Sequence, residues 1–140
     1  MKFTEEKLEQ AIIELIANEG IPHLHGSLIH KERQEVLLKD DLKQYLLNQY
    51  AAEGITLSEI DSIIRKLEIL PSSALYESNK VFMKMLSDGF VFKREDATQK
   101  DLFIHLIDFS SKDNNIYRAV NQLLIDIYHP RIPDLIIYIN

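Results

Sequence analysis

His129-Pro130-Arg131-Ile132-Pro133-Asp134, running into Leu135-Ile136-Ile137-Tyr138-Ile139-Asn140, is the stretch on which the fold turns. Apolar, β-rich runs at 123–128 and 135–139 flank a short linker with two prolines, a pattern that spells strand, turn, strand. In the second run Leu135, Ile137 and Ile139 share one face, and Asp134, Ile136 and Tyr138 share the other. Both faces are largely apolar, as in a strand with cover on either side. Asp134 then stands at the mouth of a buried strand. A carboxylate held there can bind a metal ion, because magnesium takes hard oxygen ligands and a strand fixes an aspartate better than a loop does. A solvated acid at a strand start is the simpler alternative for Pro-Asp taken alone.

Upstream, residues 90–93 and 102–109 read as two strands joined by the polar stretch 94–100, a hairpin. A third strand is expected over 116–128, where Ala119, Asn121, Leu123, Ile125 and Ile127 alternate with Val120, Gln122, Leu124, Asp126 and Tyr128. Before about residue 89 the period is helical. Thr4 is an N-cap, Glu5 and Glu6 suit a first turn, and Leu8, Ala11, Ile12, Leu15 and Ile16 form a stripe that ends at Gly20. Glu9 sits at the edge of that stripe, Glu5 flanks it, and either acid can face a site, although a solvated flank is the default for each.

A short helix over 35–39 is expected, then one over 42–50 capped by Asp40, with Leu42, Tyr45, Leu46 and Gln49 on one face. Thr56-Leu57-Ser58-Glu59 is a capping box opening a helix over 60–70, which Pro71 closes. A further helix spans 74–86. Between the first helix and this block, His23-Leu24-His25 invites a zinc reading. No third ligand stands nearby, so surface histidines are the reading preferred.

With 140 residues, 46% hydrophobic and 27% charged, the chain is sized for one domain with its own core. It contains no cysteine, which excludes disulfides and cysteine zinc sites and fits a reducing, cytoplasmic setting. No apolar run is long enough to span a bilayer, so no membrane partner is expected. A net charge of −6 argues against a self-sufficient DNA-binding module, since nonspecific affinity comes from cations meeting phosphates. Glycine-rich phosphate loops, Gly-x-Ser-x-Gly elbows and Cys/His nucleophile pairs are all absent.

An ordered set of short motifs carries more information. Leu106-Ile107-Asp108-Phe109, Asn114-Asn115, Val120-Asn121-Gln122 and Arg131-Ile132-Pro133-Asp134-Leu135-Ile136 together resemble the N-terminal region of the R subunit of type I restriction enzymes. Leu8-Glu9-Gln10-Ala11, and Val36-Leu37-Leu38 followed by Asp41-Leu42, are similar to that family's opening.

The resemblance implies an α+β fold with a mixed β-sheet flanked by helices. Its core would be restriction-endonuclease-like, of the Pro-Asp…Glu-x-Lys kind, with a helical insertion after the first helix. Residues 1–140 would form the N-terminal part of a single endonuclease domain, helical to about 88 and β-rich from about 89 to 140. By the same resemblance Asp134 matches the metal-binding aspartate and Glu9 the acidic residue of the first helix that supports the site. Asn121 and Gln122 have no argued role beyond satisfying backbone groups near the site. The family's next strand carries Glu-x-Lys, whereas this sequence stops at Asn140, so an N-terminal fragment is expected. Such a fragment would bind Mg²⁺ weakly and be inactive.

The intact protein would cleave DNA by Mg²⁺-dependent phosphodiester hydrolysis. Coupling to ATP-driven translocation would come through missing motor domains, in a complex with methylation and specificity subunits. Residues 135–139 would lack a neighbouring strand, leaving an open sheet edge for self-association. The competing reading is a non-catalytic docking module of a DNA-processing complex, built on the helices of residues 41–86, with the carboxylates incidental.

Overall fold

The computed structural model describes residues 4–32, 35–126 and 129–140. The chain divides into two units, Met1–Leu38 with Ile116–Ile139, and Lys39–Asn115 with Asn140. The second is an insertion in the first. The division does not fall between a helical and a β-rich half, because the insertion takes the 90–104 hairpin along with its helices.

In the first unit, helix α1 (Glu5–Asn18) starts where the Thr4 hydroxyl accepts from the Lys7 N–H. Strand β1 (His23–His25) follows. It pairs in parallel with β4 (Tyr117–Asn121), and β4 pairs antiparallel with β7 (Leu135–Ile139), giving a mixed three-stranded sheet in the order β1-β4-β7. Its register sets Asn121 opposite Leu135, so β4 finishes where β7 begins. The central strand carries the core: Ala119, Val120 and Asn121 are buried on β4, joined by Leu123 and by Ile13 of α1.

Two expectations change here. The strand expected over 116–128 stops at Asn121, because Gln122 takes a left-handed φ of 52°. The chain resumes as β5 (Ile125–Asp126), which pairs with β6 (Pro130–Arg131) and not with β7. The linker that read as a turn thus contains a two-residue strand of its own. Ile127 and Tyr128, at the end of the expected strand, lie outside the described residues. The apolar strand β7 is an edge of the sheet among the described residues, with Ile137 and Ile139 exposed.

The second unit contains α2 (Lys39–Gln49), α3 (Leu57–Glu68), α4 (Leu75–Asp88) and the hairpin of β2 (Phe90–Phe92) with β3 (Leu102–Ile104). Residues 35–38 are not helical; the helix expected from Leu42 begins at Lys39, so Asp40 lies in its first turn. Leu42, Tyr45 and Leu46 of α2 meet Ile60, Ile63, Ile64 and Leu67 of α3 in the core, with Leu102 and Ile104 of the hairpin also buried. The capping box at Thr56 and Glu59 forms as read, each side chain bonding the other's backbone N–H.

Glu59 does a second job in this unit. It is 2% exposed and pairs with Arg94, which donates to both carboxylate oxygens at 3.0 Å. The same guanidinium donates to the carbonyls of Glu53 and Gly54, the latter in a left-handed conformation at φ 69° that suits glycine. The hydrogen bonds from Arg94 hold the Glu59 carboxyl below the usual glutamate range despite burial.

Candidate functional site

The first helix does not bury the stripe that its sequence suggests. Leu8 and Leu15 are 52% and 66% exposed, while Ile13 is buried and Glu9 and Ile16 are half-buried. The inward face is therefore Glu9, Ile13, Ile16, at spacings of four and three. Polar partners set this rotation. The Asn121 amide donates to Glu9 Oε1 at 2.7 Å, and Gln122 Nε2 donates to Oε1 at 3.3 Å and to Oε2 at 3.1 Å. A half-buried carboxylate with several charge-assisted donors offsets the gain from tucking in one more leucine.

Two successive strand residues should point to opposite faces, yet Asn121 and Gln122 both reach Glu9. The left-handed backbone at Gln122 makes this possible, at a cost of order 1 kcal/mol for a non-glycine residue. Gly26 approaches this same turn so closely that a Cβ would stand 2.5 Å from the Gln122 carbonyl oxygen and 2.6 Å from the Leu123 Cα. On its other side Asn121 offers Oδ1 to His23 Nε2, 2.7 Å away.

Glu9 and Asp134 line one small cleft, with Glu5, Leu8, Ile12 and Leu135. Gln122 bonds to both acids, by its side chain to Glu9 and by its backbone N–H to the Asp134 carbonyl at 3.4 Å. Asp134 is exposed at the start of β7. The cleft, about 80 Å³, is well below the several hundred Å³ typical of organic-cofactor sites. His25 Nδ1 is taken up by Ser27, at 2.8 Å from the hydroxyl and 3.2 Å from the N–H. Among the described residues no group of three or more His, Cys, Asp or Glu side chains is gathered for a metal. His23 is half-buried and engaged with Asn121, not the surface residue expected.

Comparison with known proteins gives the family of the chain. The family described as type I restriction enzyme R protein N terminus matches residues 2–140. The chain belongs to this family. A putative type I restriction enzyme MjaIXP endonuclease subunit from Methanocaldococcus jannaschii is 25% identical over 146 residues, covering 95% of this chain and 14% of that protein. The type I restriction enzyme HindI endonuclease subunit of Haemophilus influenzae is 28% identical over 144 residues, covering 99% of this chain and 13% of that protein. The chain thus spans about one-seventh of the length of these relatives. No solved structure matches it significantly.

For an R-subunit N terminus the donor set at the cleft is chemically apt for magnesium. Two carboxylates are the number that magnesium commonly takes from protein, the rest of its octahedron being water and substrate phosphate. The amide nitrogens of Asn121 and Gln122 donate to Glu9, so these groups hold the acid and are not themselves cation ligands. Residue type alone assigns neither these two amides nor His23 a role. Their adjacency to a strand end was visible, but the backbone reversal that turns both toward one acid was not.

Proposed function

We propose that this chain is the first portion of a DNA endonuclease domain in a type I restriction R subunit, with Asp134 and Glu9 as its share of a Mg²⁺ site. The observation that carries the reading is the common cleft of these two acids, one from the first helix and one from the Pro-Asp strand start. Family membership and relatives named as endonuclease subunits support it. Asp134 would bind the ion directly, and Glu9, oriented by its amide partners, would bind it directly or through water. Magnesium, when bound, lowers the pKa of a coordinated water and offsets charge on the phosphate.

The reaction is hydrolysis of a DNA phosphodiester: a water oxygen bonds to phosphorus, one P–O ester bond breaks, and the leaving oxygen takes up a proton. The remaining acid and the lysine that steers the water would come from a Glu-x-Lys strand downstream of β7. DNA tracking, ATP turnover and assembly with methylation and specificity subunits belong to the rest of the polypeptide and its complex. A cytoplasmic location follows from that role. Among the described residues no helix is long and apolar enough to cross a membrane.

The test uses the full-length polypeptide in its restriction complex, assayed on supercoiled plasmid with Mg²⁺ and ATP. Asp134→Asn should abolish cleavage while ATP hydrolysis persists. Cleavage at the unsubstituted rate in Asp134→Asn would falsify the reading. The 140-residue chain alone should leave plasmid intact. A docking role for the inserted helices has one observation on its side, the exposure of Leu75, Tyr76, Val81 and Met83 on α4. In that case Asp134→Asn would be silent and charge substitutions on α4 would block assembly.

A further inference from the structure

We propose that Asn121 and Gln122 are positioning residues for Glu9, and that His23 completes the relay by fixing which way the Asn121 amide faces. The inference rests on the reading of the Glu9 and Asp134 cleft as a cation site and adds to it the residues that aim one of its acids.

The logic is one of donors and acceptors. A carboxylate only accepts, so the Asn121 atom 2.7 Å from Glu9 Oε1 is the amide nitrogen. The amide oxygen is then turned to His23, and because an amide oxygen only accepts, His23 Nε2 must carry a proton. Glu9 thereby dictates a tautomer on β1 through a residue of β4. Asn121 is 5% exposed, so its amide has no water to turn to, and each end needs its partner. Gln122 closes on the carboxylate a second time, touching both oxygens, so rotation of the Glu9 head breaks at least one bond. The strained backbone at Gln122 fits the same purpose: with ordinary strand geometry its side chain would leave the face that Asn121 serves.

Partners of this kind orient a ligand without touching the ion, and their loss typically weakens metal affinity by about ten- to a hundredfold. Two readouts test the relay in the 140-residue chain. Side-chain ¹⁵N spectra near pH 8, above the ordinary histidine range, should show His23 protonated on Nε2 alone. In Glu9→Gln, the new amide can donate as well as accept, Asn121 can reverse, and the Nδ1-protonated form of His23 should appear. An Nδ1 proton in the unsubstituted chain, or an unaltered tautomer in Glu9→Gln, overturns the relay.

The second readout is paramagnetic broadening by Mn²⁺ alone, used as the probe. Signals of Glu9 and Asp134 should broaden in the unsubstituted chain, and that of Glu9 should stay sharp in Asp134→Asn. Asn121→Ala and Gln122→Ala should need about tenfold more Mn²⁺ for equal broadening. Gln122 is only half-buried, so its variant keeps the test open should Asn121→Ala fail to fold. Broadening that Asp134→Asn removes, and that both amide variants retain at unsubstituted Mn²⁺ levels, overturns the positioning role and leaves the cation site standing. A chain in which Mn²⁺ never reaches Glu9 or Asp134 overturns the cation site, and the positioning role falls with it.

Discussion

Asp108 is buried at the centre of a turn in the inserted unit, and its carboxylate is saturated with donors. Ser110 gives its N–H and hydroxyl and Ser111 its N–H to Oδ1, while Gln49 and Asn114 give amides to Oδ2. These bonds, led by the Ser110 hydroxyl and the Asn114 amide, hold the Asp108 carboxyl far below the usual aspartate range. A group whose pKa is depressed in the folded state binds protons more readily when unfolded, so its stabilisation is present above the unfolded value and vanishes as pH falls through the folded one. With an unfolded aspartate near 3.9, the loss begins below about pH 4. Urea midpoints measured from pH 7 to pH 2 should fall in that window, in the same direction as the loss from Glu59, whose carboxyl is also depressed. Asp108→Asn should lower the midpoint at pH 7 and flatten the curve below pH 4. A variant as steep as the unsubstituted chain would show that acid sensitivity lies elsewhere.

Helix α3 separates two kinds of contribution. Thr56→Ala removes one hydroxyl cap and should cost about 1 kcal/mol. Ile63→Ala empties space at a fully buried position between helices and should cost about 2–5 kcal/mol. Urea unfolding of both variants, with slopes compared, checks the ranking, and equal costs would mean that α3 is held by its ends and not by its face. This helix was readable in advance because cap, stripe and terminating proline all agree. The hairpin of β2 and β3 was readable from two apolar runs around a polar stretch, although β3 stops at Ile104, short of the run expected to reach Phe109. The orientation of α1 was not, because all five of its candidate stripe residues are apolar and the choice of inward face goes with two amides at the end of a strand more than a hundred residues away. The sequence motifs single out Asp134 and Glu9, which line one cleft, whereas the bonds of Asn121 and Gln122 to Glu9 go with a backbone reversal that no residue type announces.

The sheet of the first unit leaves β7 with one unpaired side among the described residues, and the exposed Ile137 and Ile139 make that edge apolar. Such edges are templates for pairing with another strand. The 140-residue chain should therefore self-associate as its concentration rises, by sedimentation velocity, and Ile137→Lys should shift it towards monomer. A chain that stays monomeric to millimolar concentration would show that its edge is protected in some other way.

The insertion also bears on the order of folding. His23 pairs with Ala119 and Leu24 with Val120, so the parallel ladder closes only after the polypeptide has gone out and come back through Lys39–Asn115. A floppy excursion of that length would tax closure, and a prefolded one shortens the effective tether. The helices and hairpin of the insertion make mostly nearer contacts, which form faster than distant strand pairs. The acids of the cleft should accordingly meet last, so Ile63→Ala, remote from them in sequence, should delay the appearance of the Asn121 to Glu9 bond during refolding.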